Sequence, residues 1–211
     1  EPGDLESISV DAGSLNKKEM ADEDRTEFFD RMRTQDRDAF AGFKGEALLR
    51  SIEGASFARD RLFFAHESFP HFDWERTPDG GVYHGDRGPP GTAGGRWQND
   101  PFLVRQGLQR HLLQVGYADT VLGALIDRLE AAGLWDEALV VVVADHGIAF
   151  EPGSPTRQPT GQNVQEIYRV PLLVKAPGQT VGRTDDRNAM LIDVLPTIID
   201  LLDIEVGWDL D

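Results

Sequence analysis

Four consecutive valines, followed almost at once by Asp-His-Gly, set the terms for any fold of this chain. They lie in ALVVVVADHGIAF, Ala138–Phe150. Leu139 to Ala144 is apolar without a break and of strand length, which fits a strand buried on both faces, as in the middle of a parallel sheet. At its end stand Asp145, His146 and Gly147. In open α/β sheets, ligands bind in the crevice at the carboxyl ends of the strands. A carboxylate and an imidazole side by side on that rim, with a glycine to release the turn, suit a divalent metal. The plainer reading makes Asp145 a turn cap and His146 an ordinary loop residue. This stretch alone leaves both open.

Composition narrows the classes. The 211 residues suit one domain or a large piece of one. Asp+Glu 37 against Lys+Arg 21 gives a formal charge of −16. That balance argues against a nucleic-acid surface and for a self-repelling exterior. With no cysteine there is no disulfide, no thiolate ligand and no Cys nucleophile. No apolar run reaches the 18 or so residues of a membrane span, and no signal peptide opens the chain. The abrupt ends, EPGDLE and GWDLD, read as boundaries of a piece rather than natural termini.

Along the chain, Glu1–Ala21 reads as a loop or an irregular strand, and Asp22 to about Ile52 as one or two helices broken near Gly42 and Gly45. Residues 1–60 form a polar, helical segment, and 61–211 the remainder. RLFFAHE, Arg61–Glu67, predicts a short buried strand. His66 and His71 follow it inside HESFPHFDW, on the rim where Asp145 and His146 are expected. A lone His after a strand is most often a hydrogen-bonded structural group. Two on one strand-end loop could bind metal or donate to an anionic ester. Thr77–Gly95, rich in Gly and Pro, predicts a surface loop, mobile or lying over a site, and His84 within it has no assigned role.

Asp100-Pro101 marks a helix start, with Asp100 as N-cap and Pro101 at the first helical position. The apolar stripe through Leu108, Leu112, Val115, Leu122 and Leu129 carries the helix to about Ala132, with Gly133 as its stop. After the DHG come a second Gly/Pro loop, Glu151–Gly161, and a strand over Ile167–Lys175 with Pro171 near its start. Met190–Ile204 reads as the last helix, Pro196 being tolerated in its first turn. The pattern is α/β, helices covering a largely parallel sheet.

The order GLWDEALVVVVADHG, EIYRVPLLVKAPGQ, DVLPTIIDLL resembles the C-terminal half of the sulfatase-like catalytic domain of the alkaline phosphatase superfamily. RLFFAHESFPHFDW is similar to that family's histidine-bearing strand–loop. The run from PHFDW through QRHLLQVGYADTVLG to the DHG resembles bacterial, mainly actinobacterial, membrane-anchored sulfatase-like proteins. The likeness covers Arg61 to about Trp208.

It implies that Asp145 and His146 ligate a divalent cation (Ca, Mn, Mg or Zn). It also implies that His71, with His66 second, contacts the ester or its leaving oxygen. The family's nucleophile, a formylglycine or a Thr or Ser, follows an earlier strand near further acidic ligands, and nothing here matches that half. Gly153-Ser154-Pro155-Thr156-Arg157 keeps only the Pro and Arg of the formylglycine signature and falls after the DHG, so it reads as chance. Where sulfatases often place a Lys, this chain has the region of Thr160, and Arg157 or Asn163 is the candidate contact for the anion.

The implied function is part of a metal-dependent sulfuric ester hydrolase with the nucleophile half absent. The alternatives are a phosphodiesterase or phosphoglycerol-transferase-like enzyme, or a non-catalytic binding or structural portion. The implied partner is a sulfate or phosphate ester. The implied place is the extracytoplasmic face of a bacterial membrane, with tethering by segments outside these residues.

Overall fold

The computed structural model describes residues 6–11, 61–82 and 91–207. The helices expected over Asp22–Ile52, and His84, lie outside the described residues. Two compact units emerge, Glu1–Pro89 with Gln109–Leu125, and Pro90–Leu108 with Ile126–Asp211.

In the first unit, β1 (Glu6–Asp11) and β2 (Arg61–His66) pair in parallel, and Asp11 stands opposite His66 at their carboxyl ends. β2 was expected to be buried, yet Phe64 is 59% exposed and Leu62 and Phe63 are also open. The apolar run sets strand propensity; it does not by itself supply a covering layer among the described residues.

The long helix α1 (Pro101–Ala131) begins where the sequence places it. Asp100 accepts from the backbone N–H of Phe102 at 2.8 Å, with Pro101 at the first helical position. Gly133, at φ +70°, ends it in the left-handed region that favours glycine. The turn that follows is held by Lys175, whose ammonium donates to the carbonyls of Trp135, Asp136 and Ala138 and lies 5.0 Å over the Trp135 ring. Lys175 thereby joins the helix–strand connection to the strand Leu172–Lys175, at whose end it lies.

The valine strand, β5 (Val140–Val143), pairs antiparallel with β6 (Leu172–Lys175), Val140 opposite Lys175. A strand buried on both faces within a parallel sheet is therefore not what the described residues form. Three of the valines are half-buried and Val143 is 41% exposed. A valine run reports β propensity and an apolar surface, but carries no signal for the direction of its neighbour.

Ile167–Lys175 is likewise not one strand. Val164–Tyr168 is a short helix, α2, which buries Ile167, and the extended segment starts only after Pro171. The last predicted helix divides into a 3-10 turn, Leu191–Asp193, and α3, Val194–Leu201, with Ile199 buried. Between 91 and 97 a small hairpin forms, β3 (Thr92–Ala93) and β4 (Arg96–Trp97), turning through Gly94 and Gly95. No helix of the described residues is long and apolar enough to cross a membrane.

Candidate active site

The DHG turn is built by its neighbours in the second unit. Gly147 donates its N–H to Ile167 O at 2.7 Å, and Phe150 N–H donates to the Glu166 carboxylate at 2.7 Å, so α2 seats the turn from both sides. A Cβ on Gly147 would run into the Glu166 carbonyl oxygen. Gly147→Ala is therefore expected to cost about 1–3 kcal/mol, as overpacking of a close backbone contact does. Because the two ligating candidates immediately precede it, the same variant should lose divalent-ion affinity. Chemical denaturation and calorimetry read the two effects, and an unshifted midpoint would refute the close packing.

His146 Nδ1 lies 2.8 Å from Gly147 O. A carbonyl only accepts, so Nδ1 carries the hydrogen and Nε2 presents its lone pair. The Arg157 guanidinium approaches that same Nε2, consistent with this tautomer because guanidinium can only donate. Asp145 Oδ2 lies 3.7 Å from Nε2, while Asp145 Oδ1 accepts from His146 N–H at 2.9 Å. Two donor atoms at this separation can both reach one cation at the usual ligand distance of about 2.0–2.2 Å. Positive charge is already placed at this point by Arg157. Among the described residues, no group of three His, Cys, Asp or Glu side chains gathers to hold a metal.

Asn163 is not at the surface. It is 1% exposed, and its amide donates to Ser154 Oγ at 3.0 Å and to the carbonyls of Pro155 and Gln158 at 3.1 Å each. Its oxygen accepts from Thr160 N–H at 2.6 Å. The side chain thus ties the Glu151–Gly161 loop to the start of α2 and sets the backbone from which exposed Arg157 extends.

The same loop is joined to the hairpin. Trp97, 1% exposed, donates Nε1–H to Ala149 O at 2.6 Å and its ring lies 5.7 Å from that of Phe150. Trp97 N–H donates to Ser154 O at 3.0 Å, and Thr156 donates both its N–H and its hydroxyl to Gly95 O at 2.9 Å. Trp97 and the hairpin were not among the sequence candidates. The signal was Gly107 inside the helix, a residue that costs about 1 kcal/mol there against Ala. A Cβ at that position would strike the Trp97 ring.

In the first unit, His66 ends β2 and is exposed, and His71 is exposed on the loop beyond it. Phe69–Pro70 and Phe72–Asp73 are cis peptides. His71 Nδ1 lies 2.9 Å from Phe72 O and so carries the hydrogen. The loop is held from the helix by Gln114, 4% exposed, which donates to His71 O at 2.7 Å and accepts from Glu75 N–H at 3.0 Å. Buried Trp74 donates to Pro70 O at 2.9 Å, and its ring meets that of His111 at 5.2 Å.

Burial holds the His111 imidazole below its ordinary pKa, only partly offset by a hydrogen bond to the Pro70 carbonyl. The folded state therefore disfavours the charged ring. Stability should be full above the unfolded value of about 6.5 and fall as pH drops from there toward the lowered folded value. Melts of wild type and His111→Gln across that range test this, the variant showing the shallower decline. Parallel curves would remove His111 as the cause.

The chain belongs to the sulfatase family, whose model matches residues 11–204. Its relatives lie in the alkaline phosphatase superfamily, which implies an α/β fold of that type. It is 29% identical over 125 residues to the multifunctional alkaline phosphatase superfamily protein PehA of Trinickia caryophylli, covering 58% of this chain and 23% of that protein. It is 30% identical over 106 residues to the ulvan-active sulfatase of Formosa agariphila, covering 48% and 20%. It is 30% identical over 114 residues to the lipoteichoic acid synthase-like YvgJ of Bacillus subtilis, covering 49% and 18%. The matched stretch thus spans about a fifth of these relatives' own lengths.

Proposed function

We propose that the chain supplies a metal half-site and the substrate-contacting loops of a metal-dependent sulfuric ester hydrolase. Its sheet, on this reading, is largely parallel and flanked by helices, as the β1–β2 pairing supports. The observation that carries the reading is the pair Asp145 Oδ2 and His146 Nε2, 3.7 Å apart, with the imidazole tautomer set by Gly147 O. These residues fit a divalent ion (Ca, Mn, Mg or Zn) as two of its ligands. When bound, such an ion lowers the pKa of the attacking oxygen and neutralises charge on the transferring group.

The chain's own residues divide the remaining work. Arg157 swings from Nε2 to the non-bridging oxygens of the ester, where its planar fork matches two acceptors. Asn163 acts through the loop by fixing where Arg157 starts. His71 keeps Nδ1–H on the Phe72 carbonyl and gives a proton from Nε2 to the bridging oxygen as the alcohol departs. His66 is the second candidate for that transfer. The attacking hydroxyl, a formylglycine, Thr or Ser, belongs to the part of the fold that this sequence does not match. These 211 residues alone are accordingly expected to be inactive. The parent would act at the extracytoplasmic face of a bacterial membrane, held by segments outside these residues.

The likeness to the lipoteichoic acid synthase-like protein supports a second reading, a phosphodiesterase or phosphoglycerol-transferase-like enzyme. Turnover assays on the intact parent decide between the two. Metal-dependent hydrolysis of nitrophenyl sulfate without hydrolysis of bis(nitrophenyl) phosphate supports the sulfatase. The reverse preference transfers the site to phosphate esters. No metal-dependent turnover of either would leave a binding or structural role.

A further inference from the structure

The segment that carries the DHG does not run alone. Ala144 N–H donates to Pro171 O at 3.4 Å and Gly147 N–H to Ile167 O at 2.7 Å, so 144–147 and 167–171 close a ring of backbone. Within that ring stand Asp145 and His146 on one segment and Tyr168, Arg169 and Val170 on the other. The bond from Phe150 N–H to the Glu166 carboxylate, one step further along, holds the two segments together beyond it. Tyr168 is thereby fixed as a neighbour of the two ligating candidates, within one unit.

The fold makes no use of this side chain. Ile167, the residue before it on α2, is buried, whereas Tyr168 is 66% exposed. Tyr117, the other tyrosine among the described residues, is buried, with the Phe69 ring 5.3 Å away and the Arg76 guanidinium 5.0 Å over its face. Among the described residues, the Tyr168 side chain meets no ring, no cation and no hydrogen-bond partner. A lone exposed aromatic is ordinary on a surface. One held beside a carboxylate, an imidazole and the Arg157 guanidinium offers an apolar face where polar groups bind the other end of a ligand.

We propose that Tyr168 is a stacking platform for the alcohol portion of the ester, and that this portion carries a ring, an aryl group or a sugar. The inference rests on the ester-hydrolase reading and names the class of alcohol it acts on. Both rings share an apolar face, flat or lined with C–H groups, which packs on an aromatic π face and takes it out of water. Backbones joined by such hydrogen bonds lie about 5 Å apart. A ring attached to the ester through one bridging oxygen can therefore reach from the Asp145–His146 pair to the tyrosine.

Sulfates with and without a ring test the platform in this chain, where no turnover is expected. Ethyl sulfate supplies the anion alone, phenyl sulfate adds an aryl ring and glucose monosulfate adds a sugar. Followed by NMR shifts, at least one ring probe should bind about three- to tenfold more tightly than ethyl sulfate, the range of one aromatic contact. Tyr168→Ser should cut that ratio below about twofold and leave ethyl sulfate unchanged. Tyr168→Phe should keep it because the π face stays, and Arg169→Gln should keep it because charge is not its source. The ring probe with the larger ratio names the ring. Equal affinity for ring and ringless probes, a ratio that survives Tyr168→Ser, or no binding of either ring probe overturns the platform. A chain that binds Mn²⁺ through Asp145 yet shows no ring advantage loses this proposal and keeps its proposed activity. A ring advantage without Mn²⁺ binding keeps a stacking surface and loses the hydrolase.

Discussion

Asp145→Ala is expected to abolish measurable Mn²⁺ binding in a calorimetric titration of this chain, a loss of at least about 100-fold, or 2.7 kcal/mol. The size follows from geometry. Asp145 Oδ2 and His146 Nε2 are two donors 3.7 Å apart, and no third gathers with them among the described residues. Removing one leaves a single imidazole facing the Arg157 guanidinium, and nothing to offset the repulsion between that guanidinium and an incoming cation. His146→Ala should lose affinity as well, whereas Arg157→Gln should raise it by removing the competing charge at Nε2. Mn²⁺ binding that survives Asp145→Ala intact would remove this pair from the ligand set.

The second large effect is structural. Trp97→Ala should lower the stability of the chain by about 3–5 kcal/mol, the usual range for deleting a fully buried large aromatic side chain. For a chain of this size that is a fall in melting temperature on the order of 6–20 °C. Trp97 fills the space that Gly107 leaves on the helix, meets Phe150, and satisfies the Ala149 carbonyl just beyond the DHG. Trp97→Phe should retain much of the packing and lose about 1–3 kcal/mol for the carbonyl left without its donor. A melting temperature unchanged in Trp97→Ala would mean that the hairpin does not brace the loop.

Much of this was legible in the sequence where a signal is local. Asp100-Pro101, the apolar stripe and Gly133 bound the long helix to within a residue, because caps and periodicity are properties of neighbouring residues. The position of Asp145 and His146 just past a strand was legible, because the valine run announces the strand they follow; their part as ligands stays a proposal. The direction of β5 was not, since VVVV is the same text whether its partner runs parallel or antiparallel. The end of α2, Ile167 and Tyr168, was hidden at the start of IYRVPLLVK because a short apolar run does not separate a helical turn from a strand, and only Pro171 marked the break. Asn163 read, beside Arg157, as a candidate contact for the anion, and its position at 1% exposure was not legible. Its burial depends on carbonyls at 155 and 158 turning inward, which side-chain chemistry does not announce.

The Asn163 knot has a thermodynamic consequence. Ordering a flexible loop costs about 1–2 kcal/mol per residue in backbone freedom, and a floppy Glu151–Gly161 would have to meet that cost each time a ligand arrived. One buried amide, bonded to Ser154, Pro155, Gln158 and Thr160, moves the cost to the moment of folding. Ligand capture then begins from a loop whose backbone these bonds already hold in place.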